Sequence, residues 1–145
     1  MPTADTAERA AHLAGLLAAM RRGDVGLVLL SRPELTARFA GARRLWTAGA
    51  QPFSPSCAVV AVTGEVHVIG FNDACVPQDI PATHRHSTCW TAPTLVDALC
   101  TIPGVRAGIV VAIDGLTLTL HRALRERLDG VQLVDALQLI DAMTG

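Results

Sequence analysis

Two stretches constrain the fold more than any others: VGLVLLS (25–31) and AGIVVAI (107–113). Each is a continuous aliphatic run rather than an alternation of apolar and polar residues. A strand with one face in water alternates with period two, whereas a strand covered on both faces does not. The two runs therefore predict the interior of a parallel or mixed sheet with helices on both sides. Both are of strand length, and no apolar run approaches the ~20 residues that a membrane-spanning helix needs. A chain of 145 residues fits one domain, burying roughly 68–70% of its extended surface.

The segments between these runs supply the covering helices. Ala10, Leu13, Leu17 and Met20 recur at helical spacing over about residues 6 to 22. Asp5 with Glu8 makes an aspartate version of a capping box, Arg21 and Arg22 complement the dipole, and Gly23 can close the carboxyl end. A short helical stretch, ELTARFAG, leads into ARRLWTAGAQPFSPS (42–56), whose Gly, Pro and Ser mark a loop. CAVVAV and EVHVIG read as a hairpin turning at Thr63 and Gly64. FNDACVPQDIPAT is irregular, HRHSTCW (84–90) reads as a strand, and PTLVDALCT starts a helix with Pro93 in its first turn. After AGIVVAI come the helix LTLTLHRALRERL, the short strand VQLV, and a last helix, ALQLIDAMT, capped by Asp135. The expected architecture is a single α/β domain over 1–145, three layers deep, with a mixed central sheet of about five to six strands flanked by helices.

Composition narrows the function classes. Hydrophobic residues make up 50% and charged ones 17%, with 12 Lys plus Arg against 13 Asp plus Glu. That balance points to neither disorder nor a polyanion-binding surface. Aromatics are 3% and Tyr is absent, which argues against base stacking, so no nucleic-acid partner and no membrane partner is expected. Cys57, Cys75, Cys89 and Cys100 form no CxxC pair, and the opening MPTADTAERAAH lacks the basic-then-apolar layout of a secretory signal. Reduced thiols and a cytoplasmic location are the expectation.

No nucleophile elbow, Gly-rich phosphate loop or HExxH is present in the sequence. Asp73, Cys75 and Asp79 could gather with His84 and His86 at one end of the sheet for acid and base work. Within HRHSTCW, His84 and His86 would share a strand face and Cys89 could join them, giving three metal ligands with an open position. Against this, a second well-spaced ligand pair is missing, and His-x-His is also the pattern of a half-exposed edge strand. The edge-strand reading is preferred, with no metal and no cofactor expected. His67 is expected to face solvent in the hairpin, and His12 and His121 to sit on helix surfaces.

The order of elements and several stretches resemble the amino-terminal domain of the creatinase, prolidase and Xaa-Pro aminopeptidase family. The likeness is carried by the opening helix and DVGLVLLSRPELTARFAG, by the hairpin CAVVAVTGEVHVIG, and by GVRAGIVVAIDGLTLTLHRALRERLDGVQLVDALQLIDAM. In full-length members a catalytic pita-bread domain follows this region. The sequence stops at Gly145, so peptidase activity by this chain alone is not expected. The resemblance implies a role in dimer contacts, with a loop that closes over a neighbouring active site and helps choose its substrate. Carried onto this sequence, that role falls on the region of Phe39, Arg43, Arg44, Trp46 and Phe53. Arg offers a planar fork for a carboxylate and Trp a large contact area. The implied partner is a pita-bread-fold catalytic protein or a second copy of the chain. The alternative is a small-molecule enzyme or ligand-binding protein of a specialised metabolic pathway, with a pocket near Arg43, Trp46, Asp73, His84 and His86.

Overall fold

The computed structural model describes residues 4–41, 56–69, 80–86, 91–115 and 118–143. Six strands form one sheet: β1 (Leu27–Leu30), β2 (Ser56–Val60), β3 (Val66–Ile69), β4 (Arg85–His86), β5 (Val110–Ile113) and β6 (Gln132–Asp135). Their spatial order is β4-β3-β2-β1-β5-β6. β1 pairs in parallel with β5, β5 with β6, and β3 with β4, while β2 runs antiparallel to both its neighbours. The sheet is therefore mixed, as the two aliphatic runs require.

Among the described residues five helices cover it: α1 (Ala4–Arg22), α2 (Pro33–Ala40), α3 (Ala92–Cys100), α4 (Leu118–Arg127) and α5 (Ala136–Met143). The continuous run in β1 explains the three layers. Val28 and Leu30 point into one core with Leu16 and Met20 of α1, Leu35 and Phe39 of α2, and Ala136 and Ile140 of α5. Leu27 and Leu29 point the other way, into a core with Val96 and Leu99 of α3 and Leu120, Ala123 and Leu124 of α4. All four β1 residues are inaccessible to solvent. Fully burying a side chain of this type contributes roughly 1.5–3 kcal/mol, so neither face of this strand tolerates a polar residue.

The joints between elements are specific. α2 has no cap from its own N-cap residue, Arg32. A distant group serves instead: the Asp114 carboxylate, just past β5, accepts the backbone N–H of Ser31 at 2.9 and 3.0 Å and that of Arg32 at 2.8 Å. α3 opens on a reciprocal capping box between Thr91 and Thr94, with Pro93 in its first turn. Leu137 N–H donates to the Asp135 carboxylate at 2.8 Å, as expected of a cap.

The hairpin differs from the tight turn read from the sequence. Five residues, 61–65, separate β2 from β3, with Gly64 N–H donating to the Val60 carbonyl at 2.8 Å and Val60 N–H to the Glu65 carbonyl at 3.0 Å. Gly64 takes the left-handed conformation, φ 72°, which an L side chain adopts only at a cost. Glu65, expected as the first residue of the strand EVHVIG, is instead the last residue of this connection, directly before β3. Of HRHSTCW, residues 84–86 are described: Arg85 and His86 form the edge strand β4, pairing with β3, and His84 belongs to a preceding 3-10 turn (Ala82–His84). No helix among the described residues is long and apolar enough to cross a membrane.

Candidate functional site

At the β3–β4 edge two short patterns meet. Glu65, the last residue before β3, and His67 within it are two residues apart, while His84 and His86 come from the turn and from β4. Parallel pairing sets Val68 beside Arg85 and Ile69 beside His86. The turn is held by the Arg85 guanidinium, whose Nε donates to the Ile80 carbonyl at 2.9 Å. This register stacks the His67 and His84 rings, with centroids 4.3 Å apart and planes 29° apart. The His86 ring is tilted by 32° against His67, with centroids 5.2 Å apart.

The polar contacts are close. His67 Nδ1 and His86 Nε2 lie 3.0 Å apart. His84 Nε2 is 3.0 Å from one Glu65 oxygen, and His67 Nε2 is 3.8 Å from the other. His67 is 2% exposed, and its Nε2 is a buried polar atom with no hydrogen-bond partner among the described residues. Glu65 and His84 are more open, their side chains 27% and 19% exposed. One donor atom from each of Glu65, His67 and His84 can be chosen such that all lie within 4.8 Å of one another.

Burial sets the electrostatics first. It pushes His67 down to about 4, helped by His84 and His86 and opposed more weakly by Glu65. His86 is lowered by burial and then by His84. Burial acts to raise the Glu65 carboxyl, but the Thr63 hydroxyl, His84 and His67 together bring it below its ordinary value. At neutral pH the site thus holds an ionised carboxylate facing a neutral, buried imidazole. Imidazoles and a carboxylate so placed can bind a cation, or relay a proton between His67 and His86.

The structure brings His84 and His86 together, and it adds two residues that sequence reading did not select. His67 is not a solvent-facing hairpin residue: it is buried, with its ring stacked on His84 and tilted against His86. Glu65 joins from the last position before β3, two residues ahead of His67, where it reaches His84. The usable signal was Glu-x-His in EVHVIG echoing His-x-His in HRHSTCW, since two period-two patterns on adjacent strands can share a face. His12 is half-buried, with its ring edge-on to Phe39 at 6.3 Å, while His121 keeps to the α4 surface, where Arg125 Nε donates to its Nε2 at 2.7 Å. Phe39, expected near a partner, is 1% exposed and belongs to the core, because α2 turns its apolar side to the sheet. Arg43, Arg44, Trp46, Phe53, Asp73, Cys75, Asp79 and Cys89 lie outside the described residues.

No family model matches the sequence, and no curated protein sequence matches it. Solved structures do match the fold. The N-terminal domain of the cytoplasmic peptidase PepQ from Mycobacterium tuberculosis superposes with TM-score 0.65 at 14% identity, covering 92% of this chain and 98% of that one. A dipeptidase from Pyrococcus horikoshii matches with TM-score 0.67 at 16% identity, over 92% of this chain but 36% of its own. The N-terminal, creatinase/prolidase-like domain of a Corynebacterium diphtheriae protein assigned as a metallopeptidase matches with TM-score 0.56 at 12% identity, over 86% of this chain and 93% of that one. Six strands in a mixed sheet, helices on both faces and these neighbours together give the chain the fold of the creatinase/prolidase-type amino-terminal domain.

Proposed function

We propose that this chain acts as a noncatalytic association module: a creatinase amino-terminal-like domain that pairs with a separately encoded pita-bread-fold catalytic protein, or with a second copy of itself. In that assembly the 42–56 loop, with Arg43, Arg44, Trp46 and Phe53, helps select the partner's substrate. One observation carries the reading. The likeness extends over 92% of this chain but only 36% of the P. horikoshii dipeptidase, so the shared part is a domain of a larger enzyme. Arg and Trp are enriched at interface hot spots, which supports the loop as the contacting segment.

The test is size-exclusion chromatography with light scattering, on the chain alone and mixed with pita-bread-fold proteins from the same genome. A complex or homodimer of defined stoichiometry is expected. Replacing Arg43, Arg44 and Trp46 together by Ala should weaken it at least about tenfold, hot-spot truncations each costing about 2 kcal/mol or more. A strictly monomeric chain that joins none of these proteins overturns the proposal.

A second reading, a ligand-binding protein in a metabolic pathway, draws support from the His84 and His86 part of its expected pocket. Those two residues meet Glu65 and His67 at one sheet edge. A thermal-shift screen of the isolated chain against metabolites tests it: stabilisation by one chemical class supports it, and a flat screen overturns it.

A further inference from the structure

We propose that Glu65, His67 and His84 bind a divalent first-row transition-metal ion, with zinc as the reference ion, and that His86 orients His67 from behind. The site is complete within this chain, so the proposal stands apart from the association reading above, and its test needs no partner.

The buried nitrogen is the first argument. Buried polar atoms almost always have partners, and an exception calls for an ion, a water or a functional role. His67 Nε2 is enclosed without a hydrogen bond, and it points at a carboxylate oxygen 3.8 Å away. The hydrogen bond at the other side of the ring gives this a chemical sense. When His67 Nδ1 donates its proton to His86 Nε2, 3.0 Å away, the Nε2 lone pair is left facing the Glu65 carboxylate. Two acceptors then confront each other with no proton between them, and a cation satisfies both. This is also the arrangement in which metal-bound histidines are held, one nitrogen on the ion and the other N–H donating to an outer partner.

The geometry of the donors is the second argument. Ligands at 2.0–2.2 Å from a tetrahedral zinc stand about 3.3–3.5 Å from one another. The His84 to Glu65 separation is 3.0 Å and the His67 to Glu65 separation is 3.8 Å, with the whole set inside 4.8 Å. Small side-chain rotations bring the set onto one centre, with His84 moving its proton to Nδ1 so that Nε2 can ligate. Two imidazoles with one carboxylate suit zinc and its first-row neighbours, whereas magnesium and calcium prefer all-oxygen sites. Three protein ligands leave a coordination position on the side where Glu65 and His84 are partly exposed. An ion there would tie β3 to the turn before β4 and so fasten the edge of the sheet.

The experiment uses the untagged, chelator-treated full chain with zinc, and with cobalt as a spectroscopic substitute. One zinc per chain is expected by calorimetry, with visible cobalt bands of a four- or five-coordinate N/O site. Zinc at 100 times its Kd should raise Tm by about 6–10 °C. Glu65→Gln and His84→Ala change partly exposed residues, and their fold can be verified by circular dichroism. Each should weaken zinc by about 100-fold or more and abolish the cobalt bands, while His86→Ala should weaken it about 10–100-fold. Absence of stoichiometric binding, with no rise in Tm, overturns the proposal: His67 would then meet only water. Zinc binding undiminished in both Glu65→Gln and His84→Ala also overturns it, because the ion would lie elsewhere.

Discussion

Asp114 and His67 are both buried polar residues of the same sheet, 5% and 2% exposed, and they differ in how their polar atoms are met. The Asp114 carboxylate, past the end of β5, accepts backbone N–H groups from Ser31 and Arg32 on both oxygens. It is consumed by the fold, capping α2 from 82 residues away. His67 keeps one nitrogen without a partner. Burial of a polar group is therefore not by itself a mark of function. Its marker is the remaining unmet valence, because an unpaired buried donor or acceptor costs free energy that packing alone does not recover.

The strongest test of this contrast is Asp114→Ala, which leaves the Ser31 and Arg32 N–H groups without their acceptor. Urea unfolding should show a loss of about 2–4 kcal/mol, the cost of two unmet donors. His67→Leu in chelator-treated protein should cost less than Asp114→Ala, since it removes a buried nitrogen without a hydrogen bond and forfeits only the one bond to His86. If His67→Leu proves as costly as Asp114→Ala, His67 is structural and the distinction fails.

Acid sharpens the comparison. His67 is lowered to about 4 and His86 is lowered too, so the unfolded chain binds protons more readily than the native one between their ordinary value near 6.5 and the folded value. Native stability from these imidazoles is present at neutral pH and is lost as pH falls through that window. The lowered Glu65 carboxyl adds a further loss below its ordinary value of 4.5. Thermal melts of metal-free protein from pH 7 to pH 4 should show Tm falling, and the fall should be shallower in His67→Leu.

The smallest effect separates two thiols. Cys57, inside β2, is pushed up to about 12 by burial and then by Asp114, whereas Cys100 at the end of α3 is half-buried. Alkylation at pH 8, followed by peptide mass spectrometry, should label Cys100 in minutes. Cys57 should react only as fast as the chain opens, since the thiolate is the reactive form.

Much of the architecture was legible in the chain. VGLVLLS and AGIVVAI became β1 and β5, adjacent and parallel, and the helix over residues 6 to 22 became the larger part of α1. Leu120, Leu124 and Leu128, spaced four apart, are all buried against the sheet. Local rules carried these outcomes, because continuous apolarity and helical periodicity encode which faces are covered. The site was only half legible. His84 and His86 stood out by their spacing, but their partners lie 17 residues and more away along the chain, and Glu65 was read only as the first residue of the hairpin strand EVHVIG.

The sequence by itself determined that a mixed, doubly covered sheet would form, and that the strand Arg85–His86 would lie at its edge. Only the tertiary structure decided that His67 is buried, that Glu65 returns to the same edge, and that four side chains from two separate segments converge. The reason is physical. Which faces are apolar is a local property of each segment, whereas strand order and register are chosen by the packing of all of them together. The parallel pairing of β3 with β4 turned two ordinary alternations into one cluster.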